Sequence, residues 1–357
     1  MTEKHIMFTG GGTAGHVMVN LALIPYFLDE GWQVSYIGSK EGIERTLIDT
    51  LDRVSYYPIS TGKLRRYMSL ENMKDPFRVL KGIFQAWKII GREKPNIIFS
   101  KGGFVSVPVI MAAKLRRVPT IIHESDVTPG LANKLSIPFT KQVLTTFPET
   151  IQYLPVNKTT HVGAVIRDEL FDGNKEAGFK ITSFNDQKPV LLIMGGSGGS
   201  QKINEVIRQS LADLLENFQI IHVCGKGQVD DSIDHKGYIQ FEYIQDDLKH
   251  IFAITDYVVS RAGANAIFEF LALKIPMLLI PLSLAASRGD QIDNAKSFTE
   301  QQFALVLDES ELNQQTLLDH LLNLQKNRPV YEDAMKSFNR TTARDQVIEI
   351  IKKFYKA

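Results

Sequence analysis

The feature that most constrains the fold is an alternation that runs along the whole chain. Short apolar runs, rich in β-branched residues, are each followed by a stretch of helical periodicity. In the first half the runs are His5–Thr9, Gln33–Ile37, Val54–Ile59, Asn96–Ser100, Thr120–His123, Val143–Thr146 and Thr160–Val162. In the second they are Val190–Met194, Ile220–Val223, Ile239–Tyr243, Tyr257–Ser260, Met277–Ile280 and Ala304–Leu307. Most are apolar at every position instead of every second one, the pattern of a strand covered on both faces by helices. Strand–helix alternation of this kind predicts parallel sheets in an α/β fold.

The pattern starts twice. The first strand leads into Gly10-Gly11-Gly12-Thr13-Ala14-Gly15-His16, and the strand Val190–Met194 leads into Gly195-Gly196-Ser197-Gly198-Gly199-Ser200, each loop opening a helix. A length of 357 residues accommodates about two domains. The expectation is two Rossmann-like domains facing each other across a cleft, residues 1–164 and 165–340, with the turn at Gly163–Glu169 between them. Such sheets bind ligands beyond the carboxyl ends of their strands.

Composition narrows the function classes. With 44% hydrophobic and 23% charged residues, the chain is neither disordered nor fibrous. Its single cysteine, Cys224, excludes a disulfide framework and a Cys-rich zinc site, and fits a reducing cytoplasm. No apolar run reaches the ~18 residues of a membrane span; the longest, Ile275 to Ala286, contains Pro276 and Pro281. Strand-like sequence begins by His5, so no signal peptide is expected. There is no Asp-x-Asp motif and no His/Cys cluster of ligand type, so neither a metal nor a cofactor is expected.

The net charge of +1 is unevenly spread: residues 62–94 hold nine basic and three acidic side chains. Within them, Pro76–Arg92 forms an amphipathic helix on a 100° wheel, with an apolar arc of about 160°, wider than core packing requires. Its excess edge is Phe77, Phe84 and Trp87, beside Lys81 and Lys88, with Leu80 on the same arc. Aromatic residues next to lysines suit a lipid interface with anionic headgroups. The competing reading is an ordinary buried helix with a solvated basic face. Nucleic acid is not an expected partner, because the basic surplus is confined to this segment and no reading motif is present.

The loops carry specific chemistry. Gly10–Gly15 satisfies G-x-G-x-x-G after a strand, but the acid that would hold a ribose at the end of the next strand arrives late, in Ser39-Lys40-Glu41. A nicotinamide or flavin enzyme is therefore disfavoured, while amides at a helix N-terminus still suit a pyrophosphate. His16, in the first helical turn, is expected to be neutral and able to accept a proton from a sugar hydroxyl. Gly195–Ser200 is a second phosphate-type loop and not a P-loop, since no G-K-[ST] follows. Ser260-Arg261-Ala262-Gly263-Ala264 follows a strand, and Glu269 in the next helix suits ribose hydroxyls. Asp290-Gln291 suits sugar hydroxyls, or Asp290 caps a helix. Each motif also has a plain structural reading: a tight turn, an N-terminal histidine, a solvated glutamate.

Taken together and in order, Gly11–His16, Lys101-Gly102-Gly103-Phe104-Val105-Ser106, His123-Glu124-Ser125, Pro129-Gly130, Gly163–Arg167, Gly195-Gly196-Ser197, Ser260–Gly263 with Glu269, and Asp290-Gln291-x-x-Asn294-Ala295 resemble the MurG family. These are bacterial UDP-GlcNAc:lipid I N-acetylglucosaminyltransferases of peptidoglycan synthesis. The likeness covers nearly the whole length and implies a GT-B glycosyltransferase that forms lipid II. It implies that residues 1–164 take the lipid acceptor, that 165–340 bind UDP-GlcNAc, and that a last helix at about 341–357 packs back on the first domain. Carried over, Gly196 and Ser197 meet the donor diphosphate, Ile244 offers backbone to uracil, and Glu269 holds the ribose. Asp290 and Gln291 meet GlcNAc, and Arg167, Arg261, Gly263 and Ala264 complete the donor set. Thr13, Ala14, Gly15, Gly103, Glu124 and Asn133 serve the acceptor and its pyrophosphate, with His16 as base and Asp126 as its rival or assistant. The resemblance also implies work at the inner face of the anionic cytoplasmic membrane, beside other cell-wall synthesis or division proteins. Two positions depart from the family pattern: Asp126, often Asn, and Asp290, often Gln. A UDP-GlcNAc 2-epimerase of the same architecture and a nucleotide-binding scaffold are the alternatives.

Overall fold

The computed structural model describes residues 4–62, 75–196, 198–338 and 343–356. The chain divides into two compact units at Arg167/Asp168. The first contains strands β1 (His5–Thr9), β2 (Gln33–Ser39), β3 (Val54–Ile59), β4 (Ile97–Ser100), β5 (Thr120–Glu124), β6 (Gln142–Thr145) and β7 (Thr159–His161). Its helices are α1 (Gly15–Asp29), α2 (Ile43–Ile48), α3 (Asp75–Glu93), α4 (Ser106–Leu115) and α5 (Leu131–Ser136). The second contains β8 (Val190–Met194), β9 (Gln219–Val223), β10 (Tyr238–Phe241), β11 (Tyr257–Ser260), β12 (Met277–Leu279) and β13 (Ala304–Val306). Its helices are α6 (Lys175–Thr182), α7 (Gln201–Gln209), α8 (Leu211–Asn217), α9 (Leu248–Ile254), α10 (Ala264–Ala272), α11 (Asp290–Glu300), α12 (Gln314–Lys326) and α13 (Arg328–Met335). The last helix, α14 (Ala343–Lys356), returns to the first unit.

Both sheets are parallel throughout and share a doubly wound order. In the first unit it is β3-β2-β1-β4-β5-β6-β7, and in the second β10-β9-β8-β11-β12-β13. In each, the chain steps outward from its opening strand, then crosses back to that strand's other side. The loops that follow the two central strands therefore diverge at a switch point, where open α/β sheets hold ligands. In the first unit these loops are Gly10–Ala14 and Lys101–Val105; in the second they are Gly195–Ser200 and Arg261–Gly263.

The buried strand residues explain the unbroken apolar runs. Met7 and Ile98 face α3 and α4, whereas Ile6, Phe8, Ile97 and Phe99 face α1 and α14. Phe8 meets Phe99 edge-on at 5.8 Å and Phe27 at 6.1 Å. From α14, Val347, Ile348 and Ile351 enter the same core, and Tyr355 lies 4.9 Å from the Trp32 ring. Burying such aliphatic side chains stabilises by about 1.5–3 kcal/mol each, which is what fastens a C-terminal segment to a unit built from the first half of the sequence. The sequence reading of β10 ran too far: the strand ends at Phe241, and Tyr243 is 49% exposed. As an edge strand, β10 leaves the sheet early to form a loop.

Candidate functional site

In the first unit, Gly103 makes the switch point possible. It has φ +81°, and a Cβ there would sit 2.1 Å from Gly11 O, so the two loops touch backbone to backbone. Lys101 N donates to Thr9 O at 3.0 Å and starts the second loop. His16 is the second residue of α1 and half-buried; its Nδ1 lies 3.0 Å from Thr13 Oγ1. In the tautomer whose Nδ1–H donates to Thr13, Nε2 carries the lone pair that a general base uses. Thr13 is exposed and thus orients His16 as well as bordering the loop.

Sequence reasoning missed Glu44. Its carboxylate, fully buried on α2, accepts from Gly12 N (3.1 Å), Ser39 N (2.9 Å) and Ser39 Oγ (2.5 Å). The expectation that the amides of this loop stand bare for a pyrophosphate is corrected at Gly12, whose N–H is taken by the protein's own anion. The signal was present as an acid shortly after the second strand, five positions beyond Ser39. Glu124, 4% exposed at the end of β5, does the same for the neighbouring loop. It accepts from Asp126 N (3.1 Å), Gly130 N (2.8 Å) and Asn133 Nδ2 (2.8 Å). Glu124 and Asn133 are therefore braces inside the wall. Asn133 Oδ1 has no partner and would lie 3.0 Å from a Cβ on Gly102.

Lys101 is 2% exposed, and its burial pushes the ammonium pKa down while Glu124 and Asp126 oppose that shift. Beside it, His123 is fully buried, with both ring nitrogens unpartnered. Burial first, and Lys101 second, hold it neutral, well below the usual histidine pKa. Asp126 is half-buried and anchors Thr150 Oγ1 through its carbonyl at 3.1 Å.

Helix α3 buries Ala86 and Ile90 and leaves Phe77 74%, Leu80 63% and Phe84 55% exposed. Lys81 and Lys88 are exposed beside them, and Lys88 Nζ sits 4.5 Å from the Phe84 ring centre. The exposed edge is therefore Phe77–Leu80–Phe84. Trp87 is half-buried, because Arg116 at the end of α4 covers its ring at 3.6 Å and donates to its carbonyl at 3.0 Å. The basic residues at 63–74 lie outside the described residues. Among the described residues, no helix is long and apolar enough to cross a membrane.

In the second unit, Gly196 is exposed with φ +95°, and Ser200 caps α7. Ser197, expected on the donor diphosphate, lies outside the described residues. Gly263 opens α10 and would meet nothing within 4 Å of a Cβ, so the space above it is clear. Ala264 is buried in the first turn, and Glu269 is half-buried further along the helix. Ile244 is 9% exposed in the loop after β10. Gly289 caps α11 in the left-handed region, placing Asp290 in the first turn, where its charge suits the helix dipole. Gln291 Oε1 accepts from Leu282 N at 3.1 Å, tying α11 to the loop after β12. Arg167 is half-buried and is the last residue of the first unit before the chain enters the second.

Arg261 has a role the sequence did not reveal. Only 7% exposed, it donates from Nη1 to Ile280 O (3.1 Å) and Pro281 O (3.4 Å) and from Nη2 to Ser200 Oγ (2.7 Å), and it pairs with Glu309. Its terminal nitrogens thus knit three loops at one edge of the sheet.

Two family models match the chain: the glycosyltransferase family 28 N-terminal domain over residues 6–145, and the family 28 C-terminal domain over 190–350. A protein of Oceanobacillus iheyensis named UDP-N-acetylglucosamine–N-acetylmuramyl-(pentapeptide) pyrophosphoryl-undecaprenol N-acetylglucosamine transferase is 66% identical over 349 residues, 98% of each chain. A Geobacillus kaustophilus protein of the same name is 55% identical, again over 98% of each. The crystal structure of Acinetobacter baumannii MurG superposes with a TM-score of 0.76 at 25% identity, covering 98% of this chain and 99% of that one.

The chain belongs to the MurG family.

With that membership, the two parallel-sheet units are the GT-B glycosyltransferase fold, and the glycine-bearing loops after β1, β4, β8 and β11 fall at the two switch points. What the sequence could not reveal is how the loops are braced: by carboxylates in the first unit and by guanidinium and carboxamide groups in the second.

Proposed function

We propose that the chain transfers GlcNAc from UDP-GlcNAc to the C4 hydroxyl of MurNAc in lipid I, undecaprenyl-pyrophosphoryl-MurNAc-pentapeptide, giving lipid II and UDP. The single observation that carries this reading is full-length identity of 66% to a relative bearing that activity in its name. The second unit takes the donor. Gly196 and Ser197 meet the diphosphate, Ile244 the uracil, Glu269 the ribose, and Asp290 and Gln291 the GlcNAc hydroxyls, with Gly263 and Ala264 admitting the nucleotide and Arg167 assisting. Arg261 shapes this surface from beneath. The first unit takes the acceptor at Thr13, Ala14, Gly15 and Gly103, braced by Glu124 and Asn133.

The acceptor oxygen attacks the anomeric carbon as the bond from that carbon to the diphosphate breaks, so the α-linked donor gives a β-linked product. The hydroxyl proton passes to His16 Nε2, and UDP leaves with the bonding electrons. Loop amides and the α7 dipole stabilise the departing charge without a metal. Asp126 is the alternative base. The exposed Phe77–Leu80–Phe84 edge, with Lys81 and Lys88 and the covered Trp87 behind it, rests on the anionic inner face of the cytoplasmic membrane, where the lipid acceptor resides. Other cell-wall synthesis or division proteins are expected there.

The test is transfer of radiolabelled GlcNAc from UDP-GlcNAc to a lipid I analogue, with and without EDTA. Lipid II formed equally in both supports the reading, and no transfer refutes it. A 2-epimerase has less support, since the full-length relatives are named transferases. Conversion of UDP-GlcNAc to UDP-ManNAc without acceptor would revive it.

A further inference from the structure

A run of hydrogen-bonded side chains in the second unit ends on the Gly195–Ser200 loop. His222, on β9 and fully buried, meets Tyr238 OH at 2.8 Å through Nδ1 and Asn204 Oδ1 at 2.9 Å through Nε2. Asn204, 2% exposed on α7, donates from Nδ2 to Cys224 O and to Gln228 Oε1, both at 2.9 Å. Gln228 Nε2 donates onward to Gly198 O at 2.7 Å, and its backbone N–H to Gly225 O at 3.1 Å. Arg208 Nη2 donates to the Gln228 carbonyl and to Gln240 Oε1. The loops of β8 and β9 lie against each other here: a Cβ on Gly225 would come within 2.6 Å of Gly199 Cα.

One side chain, Gln228, thus bridges the two loops with both ends of its carboxamide engaged. The bond to Gly198 has an electrostatic consequence. A carbonyl oxygen left facing a phosphate repels it, and tying that oxygen to Gln228 removes its partial negative charge from the ligand side of the loop. We propose that Gln228, gripped by Asn204, is a positioning residue that holds the Gly198–Ser200 end of the loop after β8 in its diphosphate-accepting form. This rests on the reading that the loop receives the donor diphosphate.

The test compares UDP with uridine by calorimetry on the full chain, for wild type, Gln228→Met and Gln228→Glu. Met keeps the length and loses both hydrogen bonds; Glu keeps the acceptor for Asn204 and loses the donor to Gly198. Both variants should weaken UDP about tenfold, leave uridine within twofold, and raise the KM for UDP-GlcNAc without moving that for a lipid I analogue. Equal losses for UDP and uridine, or an unchanged UDP affinity, overturn the inference while the donor reading stands. A wild-type chain that binds UDP no better than uridine overturns both.

Discussion

Gly103→Ala tests the locked loops of the first unit most directly. The added Cβ would lie 2.1 Å from Gly11 O, and real contacts of this kind essentially never fall below 3.0 Å, so one loop must retreat by about 0.9 Å. The clash is with backbone, and no side chain can swing aside to relieve it. The Gly11 segment carries Thr13, and through it the orientation of His16. A misplacement of about 1 Å typically costs ~100-fold in rate, so kcat on a soluble lipid I analogue should fall by about two orders of magnitude. The left-handed backbone adds about 1–2 kcal/mol of strain, or roughly 2–8 °C in Tm for a unit of this size. Gly12→Ala is the control: with φ +91° it bears similar strain but meets nothing within 4 Å, so it should lose stability and keep most of its rate. Both variants should bind UDP like wild type, because the proposed donor residues other than Arg167 belong to the other unit. Equal activities for the two variants, or a Gly103→Ala enzyme within a few-fold of wild type, would refute the argument.

His16→Ala should lower kcat by ~10²–10⁴ with an intact fold, as loss of a general base does; near-normal turnover would transfer the role to Asp126. Replacing Phe77 and Phe84 together by Ser should weaken binding to phosphatidylglycerol vesicles, read by sedimentation, by roughly 10²–10⁴-fold, since each ring contributes on the order of 1.5–3 kcal/mol when buried. Turnover of a water-soluble acceptor should not change. Glu309→Ala strips the buried Arg261 of its carboxylate and should destabilise the second unit by about 3–5 kcal/mol; a Tm within 2 °C of wild type would show that the pair is dispensable. Burial, helped by Arg208, pushes the His222 pKa down to about 3. The unfolded chain takes up this proton below pH ~6.5 and the folded chain does not, so the contribution is full above that pH and is lost on acidification. Tm should therefore fall from pH 7 to pH 4.5 more steeply in wild type than in His222→Asn, and parallel profiles would contradict this.

Much of the fold was legible because strands covered on both faces leave an unmistakable pattern: each of the 13 apolar runs is a strand in the structure, with ends that coincide or shift by at most two residues. The glycine loops were legible because close backbone approach admits no side chain, as at Gly103. The braces were not. Glu44 lies within a six-residue helix and reads in sequence like any solvated acid; only the fold brings it under Gly12. Arg261 and Glu309 are 48 residues apart, and the pair exists because β11 and the loop after β13 end at the same sheet edge. Helical periodicity marked the apolar arc of α3 but could not assign Trp87, since its burial is decided by Arg116 on a neighbouring helix.

The hidden braces also set the two units, which share one topology, apart. Both open with a glycine loop on a helix N-terminus, and by motif alone the first is the better nucleotide fingerprint. Yet its Gly12 amide is held by the buried Glu44, and Glu124 holds the Asp126 and Gly130 amides of a neighbouring loop, with the buried Lys101 under the influence of Glu124 and Asp126. A phosphate entering there meets fixed negative charge; at ~6 Å and an effective dielectric of ~20, each carboxylate repels a unit charge by about 3 kcal/mol. The second unit braces its loop from the cationic side: Arg261 on Ser200, and Arg208 on the segment that holds Gly198. These braces support the proposal that a nucleotide diphosphate is taken by the second unit. On the proposed reading the first unit's loop positions a hydroxyl beside His16, a task in which a rigid, braced wall serves better than an anion trap.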